Sequence, residues 1–208
     1  MQIIQVEQRT PEWIAARLCK ISGTRLCAAI GTAAKQDALI NELIAELLTN
    51  EPKEVYVNKA MASGIEAEDY AVTEYEQTTG ELTEQIGLCV SDKYDWLINS
   101  PDRLIKRGDK YSKAVEFKCP NADTLVGYIR ANEIPKEYLP QVMSYFLVND
   151  DLEELDLVGY SPRIQTDQFR MWIKNVKREE LPLEETEKIL LKFYNKWQGE
   201  LRRLNLTI

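Results

Sequence analysis

Three features of the 208-residue sequence predict an α/β fold: a mixed central sheet flanked by helices, in a single domain over residues 1–208. The first third repeats apolar residues at helical spacing. After Gly80 the pattern changes to short apolar runs of the kind that form strands. Helix and strand then alternate before a long amphipathic tail, and no linker, repeat or biased tract divides the chain.

Pro11–Ala16 begins with proline at a first helical position, followed by Glu12 and Trp13, and predicts a short helix. Ser22-Gly23-Thr24 interrupts it and offers an N-cap to a second helix that runs to about Ile30. Leu39, Ile40, Leu43, Ile44 and Leu47 place one apolar face on a helix over Asp37–Leu48. A longer helix spans Asn58 to Thr79 and stops at Gly80. Leu82–Val90, Trp96–Ser100, Lys113–Lys118, Leu155–Tyr160 and Phe169–Lys174 read as strands. Asp123–Ala131 and Lys136–Val148 read as helices separated by the break at Pro135, and Leu181–Leu204 as a final amphipathic helix.

Composition narrows the chemistry. With 44% hydrophobic and 29% charged residues the chain reads as globular and ordered. No apolar run approaches the ~20 residues that span a bilayer, and the N-terminus lacks the basic start and apolar core of a signal peptide, so a cytoplasmic protein without membrane contact is expected. Cys19, Cys27, Cys89 and Cys119 form no CxxC pair and are expected as reduced thiols, not disulfides or cluster ligands. The absence of histidine removes Ser-His-Asp and Cys-His catalysis, imidazole bases and His-ligated zinc. Carboxylates, lysine and a hard ion such as Mg²⁺, Mn²⁺ or Ca²⁺ remain. The net charge of −8 argues against a nucleic-acid partner only as an average, because a basic groove can coexist with acidic segments such as Asn149–Asp156 and Glu179–Glu187.

Ser100-Pro101-Asp102 followed by Glu116-Phe117-Lys118 is the constellation that carries chemistry. On a strand, Glu116 and Lys118 face one side and Phe117 the other. Asp102, after Pro101, sits where a turn can aim it at Glu116. Two carboxylates meeting in this way call for a cation, since otherwise one must hold a proton. A divalent ion there supplies an activated water and positive charge for phosphodiester hydrolysis. Lys118 would then orient or deprotonate the water, or neutralise charge in the transition state. Taken alone, Glu116-Phe117-Lys118 equally describes an ordinary strand with an ion pair. On the long helix Glu68, with Ala71 and Tyr75 on its stripe, reads as an inward-facing third carboxylate, or else as part of a solvated acidic face with Glu66, Asp69, Glu74 and Glu76.

These residues resemble the PD-(D/E)xK nuclease core, a restriction-endonuclease-like fold, and closely resemble its phage lambda exonuclease branch, the YqaJ-like viral recombinases. Gly64 to Glu68 resembles the family's G-x-x-x-E helix motif. Tyr138-Leu139-Pro140-Gln141 resembles its Y-x-x-Q motif, and Trp13, Arg17, Ser22 and Thr24 its N-terminal arrangement. The resemblance implies a Mg²⁺-dependent exonuclease, with Mn²⁺ as a substitute, that digests one strand of linear duplex DNA 5′→3′. It would leave 3′ tails for a phage single-strand annealing protein, act as a toroidal homotrimer around the DNA and work in the bacterial host cytoplasm. It implies metal ligation by Asp102, Glu116 and the Phe117 carbonyl. Lys118 would serve the water, Glu68 would support the site and Gln141 would orient the nucleophile or Lys118. Arg17, Thr24 and Ser100 would form a pocket for the 5′-phosphate, to which a guanidinium and hydroxyls are suited.

Two departures stand out. Arg103 replaces the glycine that follows the family's Ser-Pro-Asp, and Pro140 constrains the start of its helix, which should leave Tyr138 before the first turn. Two other readings are a related endonuclease or repair nuclease and a non-catalytic DNA-binding or assembly protein on the same fold. The intact Asp102, Glu116 and Lys118 argue against the last.

Overall fold

Hydrophobic period and turn chemistry together set the order of elements along the chain. The computed structural model describes residues 1–53 and 59–207, and the side chains of 59–66 lie outside that description. Gln2–Ile4 forms β1, followed by helices α1 (Pro11–Ala16), α2 (Gly23–Ala29), α3 (Ala33–Thr49) and α4 (Lys59–Thr79). The middle of the chain supplies β2 (Leu88–Val90), β3 (Ile98–Asn99), β4 (Arg103–Arg107) and β5 (Lys110–Lys118). Helices α5 (Ala122–Ala131) and α6 (Leu139–Val148) lead to β6 (Glu154–Tyr160), the short α7 (Asp167–Arg170), β7 (Met171–Lys177) and α8 (Leu183–Arg203).

The expected α/β class and mixed sheet are both present. The four-stranded sheet has the order β4-β5-β6-β7, with β5 parallel to β6 and antiparallel pairs on either side. A second, antiparallel sheet, β1-β2-β3, brings the N-terminus beside the middle of the chain. Parallel pairing of β5 and β6 requires a crossover, which α5 and α6 provide. That crossover lays α6, buried from Val142 to Val148, behind β5.

Three expected strands differ from the structure, and two strands lie outside the expectation. Leu82–Gly87 is irregular apart from one bridge, Glu84 to Leu104, and only Leu88–Val90 pairs as a strand. The run expected at Trp96–Ser100 shortens to Ile98–Asn99. Phe169 belongs to the turn of helix before β7 and is exposed, whereas Trp172 at the start of that strand is buried. β1 and β4 are the strands not expected. The predicted Asn58 start of α4 lies outside the described residues.

Packing follows the predicted faces. Along α8, Thr186, Leu190, Phe193, Trp197 and Leu201 are buried at spacings of three or four, which closes one side of the core. α4 ends as its glycine requires: Gly80 adopts φ 72° and donates its N–H to Glu76 O at 2.9 Å. Cys19 and Cys89 are buried, Cys27 and Cys119 half-buried, and all four are free thiols. Among the described residues no helix is long and apolar enough to cross a membrane.

Candidate active site

β5 outruns its neighbour β4: the last antiparallel pair is Arg103 with Val115, so Glu116–Lys118 project beyond the end of β4. The backbone N–H of Phe117 is taken instead by Asp102 Oδ2 at 2.8 Å, a carboxylate from the turn just before β4. This contact brings Asp102 to Glu116, as the spacing predicted. Phe117 turns the other way, into a cluster with Ala71, Val72 and Tyr75, and meets the Tyr75 ring edge-on at 5.8 Å. Strand alternation thus separates anchor from chemistry.

Glu116 is buried, and three donors from two elements hold it. Oε1 accepts from Lys118 Nζ at 2.5 Å and from Gln141 Nε2 at 2.6 Å, while Oε2 accepts from the Tyr145 hydroxyl. Lys118 Nζ also donates to Gln141 Oε1 at 3.0 Å and lies 5.0 Å from the Tyr138 ring centre. Gln141 and Tyr145 are one helical turn apart on α6, so both reach the same carboxylate. Pro140 is accommodated in the first turn of α6, and Tyr138 precedes it as the N-cap. Tyr145 was missed in the sequence; its signal was the i, i+4 spacing from Gln141.

Crowded charge shifts the titrations. Burial first, then Glu116 and Glu68, push the Asp102 carboxyl well above the usual carboxylate range, against the Phe117 N–H and Lys118. Burial pulls Lys118 down, but the Glu116 and Asp102 charges outweigh it and the ammonium sits above its ordinary value. Burial and the same two carboxylates also raise Tyr145. A pair of close carboxylates in this condition favours a cation, and the oxygen donor set fits a hard divalent ion. Among the described residues no three His, Cys, Asp or Glu side chains converge to ion-holding distance. Glu68 on α4 is half-buried and its Oε2 accepts from Arg9 Nη2 at 3.0 Å, so only its charge reaches Asp102. Gly64 has surroundings outside the described residues.

A second group of residues joins this cluster through Ser100. Its hydroxyl accepts from Arg17 Nη1 at 2.7 Å and from the Trp13 indole N–H at 3.0 Å, and the Arg17 guanidinium stacks 4.0 Å from the Trp13 ring. Thr24 shares a 3.1 Å hydrogen bond with Ser22 and reaches neither Arg17 nor Ser100 directly. It lines, with Trp13, Arg17, Ser22 and Arg25, a cavity of about 1090 Å³ between α1, α2 and α3. Burial and the nearby Arg25 lower Arg17 to about 10. The start of α2 lies tight against α6, since a Cβ on Gly23 would stand 2.7 Å from Ser144 Oγ. Arg103 turns its guanidinium back onto the Asp102 carbonyl at 2.7 Å.

A mixed sheet that displays Asp102, Glu116 and Lys118 in this arrangement resembles the PD-(D/E)xK nuclease core. The chain belongs to the YqaJ-like viral recombinase family, whose domain matches residues 12–151. Its structure is similar to that of an alkaline exonuclease, LHK-Exo, from Laribacter hongkongensis, with a TM-score of 0.85, 28% identity, and coverage of 94% of this chain and 96% of that one. The same protein in complex with dAMP gives a TM-score of 0.84 at 28% identity over the same shares. A phage related exonuclease from Haemophilus somnus 129PT shares the fold at a TM-score of 0.63 and 14% identity, covering 88% of this chain and 95% of that one. No curated protein matches.

Proposed function

We propose that this deoxyribonuclease is a Mg²⁺-dependent exonuclease that digests linear double-stranded DNA 5′→3′ and leaves 3′ single-stranded tails for annealing recombination. Residues 1–208 would act as a single nuclease domain within a homotrimer, in the host cytoplasm, and would hand the tails to a phage single-strand annealing protein. One observation carries the reading: the tripeptide Ser100-Pro101-Asp102 belongs to both groups at once, with Ser100 bonded to Arg17 and Asp102 bonded to β5 beside Glu116. An anion site at Arg17 would then adjoin the carboxylates, which would suit a terminal phosphate held next to the bond to be cut.

Asp102, Glu116 and the Phe117 carbonyl would hold the ion. A bound Mg²⁺ (Mn²⁺ serving as substitute) supplies a more acidic water and positive charge near the scissile phosphate. Lys118, hydrogen-bonded to Glu116, would orient or deprotonate the attacking water, or neutralise developing charge. Gln141 fixes Lys118 and Glu116 together, and Tyr145 anchors the second oxygen of Glu116. Glu68 adds charge from α4. Arg17 offers a guanidinium, and Ser100 and Thr24 offer hydroxyls, to the 5′-phosphate.

Linear duplex labelled separately at each 5′ and 3′ end, digested with and without Mg²⁺, tests this reading. Early loss of 5′ label, retention of 3′ label and dependence on the ion are expected. Early loss of 3′ label, or nicking of covalently closed circles, would overturn the exonuclease assignment and favour an endonuclease.

A further inference from the structure

Gly23 of α2, Asn99 of β3 and Ser144 of α6 meet at one buried point behind the site. Asn99 Nδ2 donates to Ser144 Oγ at 2.8 Å, and that hydroxyl donates to Gln141 O at 2.6 Å. Asn99 directly precedes Ser100, the acceptor of Arg17. Ser144 directly precedes Tyr145 and lies one turn after Gln141, and both of those side chains donate to Glu116. The chain entering α2 is tied to the same strand: the Ile21 N–H donates to Trp96 O at 2.8 Å, and Ile21 O accepts from the Ile98 N–H at 3.0 Å. At Gly23 a Cβ would stand 2.7 Å from Ser144 Oγ, 3.4 Å from Gln141 Cγ and 3.5 Å from Asn99 Nδ2. The first of these is too short for any side chain, so α2 approaches α6 as closely as glycine permits.

We propose that Asn99 and Ser144 are positioning residues that hold the end-phosphate pocket at a fixed distance from the carboxylates, so that an occupied pocket speeds hydrolysis. The proposal rests on the two-site reading above. Each residue acts through its neighbours: Asn99 through Ser100, and Ser144 through Gln141 and Tyr145. Sliding the Ser100–Asp102 turn along α6 would leave a buried amide unpaired, a cost that apolar packing alone would not impose. The joint therefore fixes a distance as well as filling space. Such precision matters for rate, because misplacing a reacting group by about 1 Å can cost on the order of 10²-fold.

Two measurements on linear duplexes bearing 5′-phosphate or 5′-hydroxyl test this: binding by fluorescence anisotropy in EDTA, and single-turnover cleavage with Mg²⁺ at saturating enzyme. The native chain should favour the phosphorylated end in both. Ser144→Ala should keep the binding preference, because Arg17 is untouched, while its rate advantage on that end falls about tenfold. Gly23→Ala, which presses a Cβ onto Ser144 Oγ, should show the same split and tests the joint even if Ser144→Ala does not fold. Combining the two should be no worse than Ser144→Ala alone, since the atoms that remain stand at ordinary contact distance. A rate advantage that survives both single variants, loss of the binding preference along with it, or additive losses in the double variant would overturn the role of the joint alone. So would a native preference confined to binding. No native preference in either measurement would overturn it together with the two-site reading.

Discussion

Lys118 shows how a single side chain is assigned its task by its neighbours. It is enclosed by Glu116, Gln141 and the Tyr138 ring, in a space that suits a compact ammonium better than a planar guanidinium. Lys118→Ala should lower the single-turnover cleavage rate by roughly 10²–10³-fold, the scale for one lost charge-stabilising donor. Lys118→Arg should recover little of it. Near-normal cleavage by Lys118→Arg would mean that only the charge matters. Asp102 makes a separate prediction about pH. A carboxyl whose folded-state value is raised gives its full stabilisation below the unfolded value, near 3.9, and loses it as the pH climbs through the raised one. The Asp102 contribution to the stability of the metal-free chain should therefore decline from about pH 4 upward, and Asp102→Asn should remove that component of the pH profile while abolishing hydrolysis. Urea denaturation across pH measures the first effect, and a cleavage assay the second. Asp102, Glu116, Lys118, Gln141 and Arg17 were legible as letters at motif spacing. Tyr145 was not, because it looks like core on an apolar helix.

Among the elements, α4 is fixed to the mixed sheet by a buried polar knot. Asp156 on β6 accepts from Tyr75 of α4 at 2.6 Å and from Asn175 of β7 at 2.6 Å, and pairs with Lys113 of β5 at 2.8 Å. Both charges are almost wholly enclosed. Asp156→Ala leaves the Lys113 ammonium without its main partner and should destabilise the fold by about 3–5 kcal/mol. Asn175→Ala, which removes one donor, should cost about 1–2 kcal/mol, and chemical denaturation distinguishes the two. A small effect of Asp156→Ala would show that Lys113 is served well enough by Glu81, at 3.5 Å. The long elements were readable because their period is sustained over many residues, as along α3 and α8. β4 was not. It sets Leu104 beside Ile105 with no alternation, and its register with β5 slips between Ile105 and Lys106. Only pairing across the Gly108 turn, at φ 63°, makes it a strand. β1 spans three residues, too few to show any period.

For the whole molecule, the proposed ring has a plain physical consequence. Light scattering should give three times the 24.0 kDa chain mass, and a monomer mass at working concentration would reject the trimer. The overall charge of −8 proved uninformative about the partner, because the site is set by local contacts and not by the average.

On the proposed reading, the Ser100–Asp102 turn couples an end-phosphate site to a hydrolytic site. Comparing cleavage of otherwise identical linear duplexes carrying 5′-phosphate or 5′-hydroxyl, by the native chain and by Arg17→Ala, tests it most directly. A charge-assisted contact to phosphate is worth roughly 1.5–3 kcal/mol, so the native chain should prefer the phosphorylated end by about 10- to 150-fold. Arg17→Ala should erase the preference and keep slow, metal-dependent cleavage. Equal native rates on both ends, or a preference that survives Arg17→Ala, would contradict the account.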